Sequence, residues 1–407
     1  MKRYIILSYD IHPLGGCQNY LSGKCPYLES KGYDVYILYA GISSPKFEFK
    51  NLAKYSNGNI PELDFIPAEI PRFLKNCILL TMKSIVTKCD RVYDETIIES
   101  HYDKMHLWGE LLAEKISAKH MCFNCNEIFR GKGKYYEQYL DFYKYKLNRK
   151  ELYGITKNSM SFLFGDNINI NVQSSRTFEA AHPKVVQDVD NYDDSIIPYS
   201  DWSICYIGRI LKNYVDEILS NVALFSHKHK EKKINFIIIG DAQPKIEKIN
   251  SIFNQISNVN LIILGNLVPI PRAIIKKMDV ILAGAGSAYC VLNEGVPVIV
   301  PDSNTCLSNG LLCYENISAV FLDKGRQHET FEHSLERVLV QKVHTTLKVK
   351  FKYTESSVSD VYDEHMSMIA DSEKQRNYYP HDDIVNGSYS FIHKIKVVLA
   401  IFKRKWL

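Results

Sequence analysis

A chain of 407 residues is too long for one small core and suits two domains of about 150–200 residues each. Its 46% hydrophobic and 24% charged residues exclude a disordered or collagen-like chain, and its length excludes a disulfide-stapled miniprotein. The 50 basic and 46 acidic residues leave a formal charge of only +4, too little for a strong overall field toward nucleic acid.

The first residues, MKRYIILSYD, hold an apolar run too short for a signal-peptide core, and Asp10 interrupts it. No stretch approaches the roughly 18–20 apolar residues that span a bilayer. The 10 cysteines are scattered and read as reduced, which points to a cytoplasmic protein. Cys122 and Cys125 form a single CxxC near His120, with no second pair at zinc-finger spacing. They read as two small residues on a buried strand, and no metal and no cofactor are expected.

In chain order, residues 4–9 form a short apolar strand that leads into a turn-rich stretch containing Gly15 and Gly16. A helical pattern follows to Ser30, and a second strand spans 35–40, so the chain opens with a βαβ unit. Further strands are predicted at 96–100 and 121–124, with Trp108, Leu111, Leu112 and Ile116 at helical spacing between them. Residues 131–150 are rich in Lys and Tyr and predict a solvated helix. Five aspartates between Asp188 and Asp201 mark a break in composition, read as an inter-domain linker.

The second half repeats one pattern. Strands at 204–207, 234–239, 261–264, 279–283 and 296–300 alternate with helices and are closed in turn by Gly208, Gly240, Gly265, Gly284 and Pro301. This predicts a parallel, doubly wound sheet with glycines at the strand ends where such sheets bind ligands. The tail from Phe391 to Leu407, FIHKIKVVLAIFKRKWL, has five Lys/Arg and no acid. It fits a basic helix lying on an anionic membrane, or a helix packed on the domains with a solvated basic end.

Gly284-Ala-Gly286-Ser287 is a glycine loop at a strand end ahead of a helix, where backbone N–H groups can approach a phosphate. Tyr289 stands where a dinucleotide fingerprint needs its third glycine. Only 12 of the basic residues are arginine. One of them, Arg209, stands with Lys212 just past a neighbouring strand end, where arginine can grip a diphosphate. His101 and Glu127 follow strands of the first half. These positions suit a general base or a group that orients a sugar hydroxyl, and equally a loop residue in solvent.

The set resembles the GT-B glycosyltransferases, most nearly glycosyltransferase family 4 and its relatives. The likeness rests on Pro13-Leu-Gly-Gly16, Lys31-Gly-Tyr-Asp-Val35, Tyr206-Ile-Gly-Arg-Ile210, Asn235-Phe-Ile-Ile-Ile-Gly-Asp241, Val259-Asn-Leu-Ile-Ile-Leu-Gly265, Met278-Asp-Val-Ile-Leu282 and Gly295-Val-Pro-Val-Ile299, in that order. The resemblance implies an α/β chain of two Rossmann-like, doubly wound domains facing a cleft. Residues 1–187 would form an acceptor domain, 188–202 the linker, 203–372 a donor domain and 373–407 a helical segment.

The implied reaction moves a sugar from a nucleotide-diphosphate donor to a hydroxyl of a glycan, lipid-linked in cell-surface polysaccharide synthesis, without a metal. Gly208, Arg209, Gly240, Gly284, Gly286 and Ser287 would line the donor site, with Gly15 and Gly16 across the cleft. Lys212 stands two residues before the family's lysine, whose place holds Tyr214. The family's E-x7-E pair falls on Leu282 and Cys290, neither acidic, which leaves Glu294 as a sugar-binding or a helix-end carboxylate. The glycine loop is closer to relatives carrying G-A-x-T/S, some of which invert and take an acceptor-side base, here His101 or Glu127. A nucleotide-sugar epimerase of the same form, or a non-catalytic nucleotide-sugar binder, remains an alternative. The enzyme would work at the inner face of the cell membrane.

Overall fold

Two six-stranded sheets are built from short, β-branched-rich runs, one sheet in each of two units: Met1–Pro183 with Ser356–Leu407, and Lys184–Glu355. The computed structural model describes all residues except 13–14, 42–48, 88–90, 126–133, 165–176, 180–184, 191–192, 321, 324, 351–356, 386–388 and 406–407.

In the first unit, β1 (Lys2–Ser8), β2 (Tyr33–Tyr39), β3 (Ser56–Asn59), β4 (Glu95–Ser100), β5 (Lys119–Asn124) and β6 (Leu152–Gly154) lie in the order β3-β2-β1-β4-β5-β6. Every pairing is parallel. The connections carry α1 (Gly16–Ser30), α2 (Arg72–Val86), α3 (Asp103–Ile116), α4 (Lys134–Asn148) and, after β6, α5 (Lys157–Phe164). Because strand side chains alternate, Ile5 and Leu7 of β1 enter one core with Met82 and Trp108. Tyr4 and Ile6 enter the opposite core with Tyr20 and Leu21. Pro26 inside α1 has no N–H for the Ser22 carbonyl one turn earlier. The Asn51 side chain donates to that carbonyl instead, at 2.7 Å.

In the second unit, β7 (Val186–Gln187) pairs with β11 (Ile270–Pro271). The main sheet orders β8 (Trp202–Ile207), β9 (Ile234–Ile239), β10 (Val259–Gly265), β12 (Val280–Ala283), β13 (Val298–Pro301) and β14 (Ser308–Leu311) as β10-β9-β8-β12-β13-β14. Only β14 runs antiparallel. Helices α6 (Val215–Lys228), α7 (Ile246–Phe253), α8 (Arg272–Ile275), α9 (Gly286–Val291) and α10 (Phe331–Leu335) flank it. Ile204 and Tyr206 pack with Ile218 and Val222 of α6, while Cys205 and Ile207 pack with Ile274 and Ile275 of α8.

The chain then returns to the first unit as α11 (Val358–Asp371), α12 (His381–Val385) and α13 (Phe391–Lys405). Val361, Tyr362 and Ile369 of α11 complete one core, and Ile384, Val397 and Ile401 complete the other.

The sequence boundaries therefore shift. Residues 356–372, expected with the second domain, belong with the first unit, and residues 184–187, expected with the first, belong with the second. The aspartate-rich stretch is not a free linker: Asp188 pairs with Arg272, Asp194 with Lys277 at 3.2 Å, and Ile197 is buried beside Ile270. Its acids find cations on the second unit, which pins it there. The helix predicted as solvated at 131–150 buries Phe142, Tyr143 and Lys146. Lys146 is held between Glu110 at 2.8 Å and Glu151 at 2.7 Å, a buried pairing that single-helix composition does not reveal.

Tyr362 is fully buried and donates to the Tyr20 carbonyl at 2.8 Å. Tyr362→Ala is expected to cost about 3–5 kcal/mol, whereas Tyr362→Phe, losing one hydrogen bond, costs about 1 kcal/mol. Urea unfolding of the two variants measures the difference.

Candidate functional site

In each sheet the strand order reverses beside the first strand, between β1 and β4 and between β8 and β12. Doubly wound sheets bind ligands at such points, beyond the carboxyl ends of the strands.

In the second unit the floor of this region is backbone. Gly208 and Gly240 follow β8 and β9 with φ of +151° and +152°. A Cβ on Gly240 would lie 2.1 Å from the Gly208 carbonyl oxygen, so only glycine fits there. A Cβ on Gly284 would come within 3.0 Å of Pro301 Cγ and of the Tyr214 hydroxyl. The next residue, Ala285, holds φ 51° and ψ −135° and donates to the Ala319 carbonyl at 2.8 Å. This is a sparsely populated conformation for a residue with a Cβ. Gly286 opens α9, and Ser287 faces Gly208, its Oγ 4.0 Å from a Cβ built on that glycine.

Arg209 is exposed, and its backbone is fixed by the Tyr206 hydroxyl donating to its carbonyl at 2.9 Å. No carboxylate pairs with its guanidinium among the described residues. Tyr214 is buried. Burial pushes its phenol up to about 12, so it stays a neutral hydroxyl against Gly284. Lys212 is half-buried, its N–H donating to the Arg209 carbonyl at 3.2 Å. Glu294 is engaged by Arg272 Nε at 2.8 Å, which makes it a partner of that arginine as placed. An exposed guanidinium on an anchored backbone beside glycine-lined turns is suited to holding an oxyanion such as a diphosphate.

In the first unit, Gly15 precedes α1 with no side-chain cap, and Gly16 is the first residue of the helix, with open space around it. His101 was expected as a base facing an acceptor; it is fully buried, and both ring nitrogens are committed. Nε2 lies 2.7 Å from Glu99 Oε1 and Nδ1 lies 3.2 Å from Cys17 Sγ. Burial opposes its charge, yet the Cys17 thiolate and Glu99 outweigh burial and raise it to about 9. A protonated, enclosed imidazole cannot take a proton from a hydroxyl in solvent. Glu127 lies outside the described residues.

The buried Glu99 also accepts from Tyr4 at 2.5 Å and Tyr20 at 2.8 Å and pairs with Lys24. The two cysteines of the CxxC part company: Cys122 faces the α3 side of the sheet, Cys125 the α1 side. Cys17, His101 and Cys125 converge, with ligand atoms all within 4.8 Å of one another. Sequence reading missed this because the three follow three different strands: His101 and Cys125 stand just past β4 and β5, while Cys17 lies in the first turn of the helix after β1. His120 turns the other way, bridging Glu110 at 2.6 Å and Ser100 at 2.7 Å in a relay sealed from solvent.

The fold has known counterparts. A structure of Anabaena Alr3699/HepE with UDP and glucose aligns with a TM-score of 0.55 at 10% identity, over 90% of this chain and 99% of that one. A glycosyltransferase from Rickettsia africae ESF-5 gives 0.54 at 11% identity, over 98% and 97%. The chain has the GT-B fold. A UDP-N-acetylglucosamine 2-epimerase also aligns, at 0.51 and 13% identity, over 93% of this GT-B chain and 99% of its own. Such distant likeness establishes the fold alone, and neither a family model nor a curated protein matches the sequence.

The backbone contact at Gly240 makes a sharp forecast. Gly240→Ala is expected to destabilise the second unit by about 1–3 kcal/mol or more through its positive φ and the clash. Gly16→Ala, in open space, should stay within about 0.5 kcal/mol of the parent. Thermal unfolding of both variants checks the contrast.

Proposed function

We propose that the protein is a glycosyltransferase that moves a sugar from a nucleotide-diphosphate donor to a hydroxyl of a glycan acceptor, as the motifs shared with family 4 and its relatives imply. The observation that carries this reading is Arg209, exposed and, among the described residues, without a carboxylate partner at the end of β8, beside the Gly208, Gly240 and Gly284–Ser287 turns. In transfer, the bond from the sugar's anomeric carbon to the diphosphate breaks and a bond to the acceptor oxygen forms. The acceptor proton passes to the departing diphosphate or to water, and negative charge grows on the diphosphate as its bond to carbon breaks. Arg209 would stabilise that charge more in the transition state than in the bound donor. The similar fold of HepE, crystallised with UDP and glucose, supports a uridine diphosphate donor.

Epimerisation of a nucleotide sugar is the second reading, favoured by the similarity to a UDP-N-acetylglucosamine 2-epimerase. Both chemistries need the same diphosphate grip. Arg209→Ala should lower kcat/KM at least about 100-fold, which is about 2.7 kcal/mol, while the circular dichroism spectrum is unchanged. Full activity in that variant would sink the proposal. Incubation with UDP-sugars and no acceptor separates the readings, because only an epimerase then releases an altered sugar.

We further propose that the acceptor is carried on a lipid and that the protein reaches it by resting on an anionic membrane through α13. No helix among the described residues is long and apolar enough to cross a membrane. Val397 and Ile401 pack α13 onto the first unit, while Phe391, Ile392, Ile395, Leu399 and Phe402 are exposed. At helical spacing these five share one face, bordered by Lys396 and Lys403, the pattern of an interfacial helix. Replacing Ile395, Leu399 and Phe402 together by Ser should reduce sedimentation with phosphatidylglycerol vesicles several-fold and leave the fold intact. Unchanged sedimentation would leave α13 as a purely structural helix.

A further inference from the structure

We propose that Cys17, Cys125 and His101 bind a divalent transition-metal ion of borderline softness, with zinc the best chemical match. Their ligand atoms lie within 4.8 Å of one another, and Cys17 Sγ is 3.2 Å from His101 Nδ1. Around tetrahedral zinc, a sulfur and a nitrogen lie about 3.6 Å apart and two sulfurs about 3.8 Å apart. Closure on a metal therefore needs side-chain shifts of only about 1 Å.

The surroundings are those a metal ligand needs. The far nitrogen of His101 donates to Glu99 at 2.7 Å, which fixes the ring and turns Nδ1 toward the two sulfurs. A carboxylate behind a histidine is the usual second layer of a zinc site. Glu99 is itself immobilised by Lys24, Tyr4 and Tyr20, so the imidazole cannot swing away. Cys17 sits in the first turn of α1, where unpaired N–H groups favour a thiolate.

Charge selects the ion. Lys24 neutralises Glu99 within the same buried cluster. Metal binding displaces the extra proton that His101 otherwise keeps; the two thiolates then carry two negative charges beside a neutral imidazole, and a dication brings that set to zero. A monovalent soft ion would leave one buried negative charge uncompensated. Thiolate and imidazole donors disfavour magnesium and calcium, which take oxygen ligands. The fourth position falls to water or to Ser8, whose Oγ is 3.6 Å from Cys17 Sγ.

The site is independent of the sugar-transfer reading, and so is its test. The full-length protein is reduced, stripped with a chelator and titrated with cobalt(II). One equivalent should bind and give a thiolate charge-transfer band with the intense visible bands of a tetrahedral site. Zinc should displace it. Cys125→Ser, just beyond the end of β5, and Cys17→Ser should each weaken binding roughly 100-fold. Cys122→Ser, on the other face of the sheet, should not. Circular dichroism confirms that each variant is folded. Absence of a stoichiometric cobalt spectrum in the reduced protein, or Cys17 and Cys125 variants that bind as tightly as the parent, would overturn the proposal.

Discussion

The first unit depends on one buried carboxylate. Glu99 has no exposed surface, and a lone charge there would cost several kcal/mol. Burial pushes its pKa up, but Lys24 and His101 hold it well below the usual carboxylate range. The charge is kept, and its four partners come from three places: β1 gives Tyr4, α1 gives Tyr20 and Lys24, and the turn after β4 gives His101. His365 of α11 adds a second layer, its Nδ1 3.3 Å from Lys24 and its Nε2 2.7 Å from the Glu179 carbonyl. Burial and the neighbouring lysine lower that histidine to about 3, so it remains neutral and can accept from Lys24. An ion pair that also fixes sheet, helix and returning segment defines the geometry of the strand ends above it.

The second unit solves the corresponding problem with backbone instead of charge. Its strand ends are brought together by the absence of side chains at Gly208, Gly240 and Gly284. The two halves therefore share a strand order and differ in what lines their switch points. One offers main chain and an arginine; the other offers sulfur, imidazole and carboxylate. A diphosphate suits the first set, and a soft-ligand metal suits the second.

Much of the fold was legible in the sequence. Runs such as Ile234–Ile239 are long, apolar and closed by glycine, so local pattern and final structure agree. In the two main sheets the strands not foreseen, β3, β6 and β14, read SNGN, LYG and SNGL, and they exist because a neighbouring strand offers a free edge; the two-residue pair β7 and β11 was not foreseen either. The glycines at the strand ends of the second unit were legible because glycine at a strand end has few other reasons to recur. The polar cluster of the first unit was not. Its members Cys17, Lys24, Glu99, Cys125 and His365 are scattered along the chain, and no local pattern links them. The base reading of His101 failed for the same reason: a strand-end histidine looks exposed until Glu99 and Cys17 are seen to enclose it.

The return of the chain to the first unit has a consequence for how the protein is made. Residues completing both cores of that unit, Tyr362 and Ile369 on one side and Ile384, Val397 and Ile401 on the other, are synthesised only after the whole second unit. At about 5–20 residues per second, the ribosome leaves the first sheet uncovered for ~10 s or longer. During that interval the second unit can complete its own sheet, while the first presents two incomplete apolar faces. The last unit to close is the one whose strands emerge first.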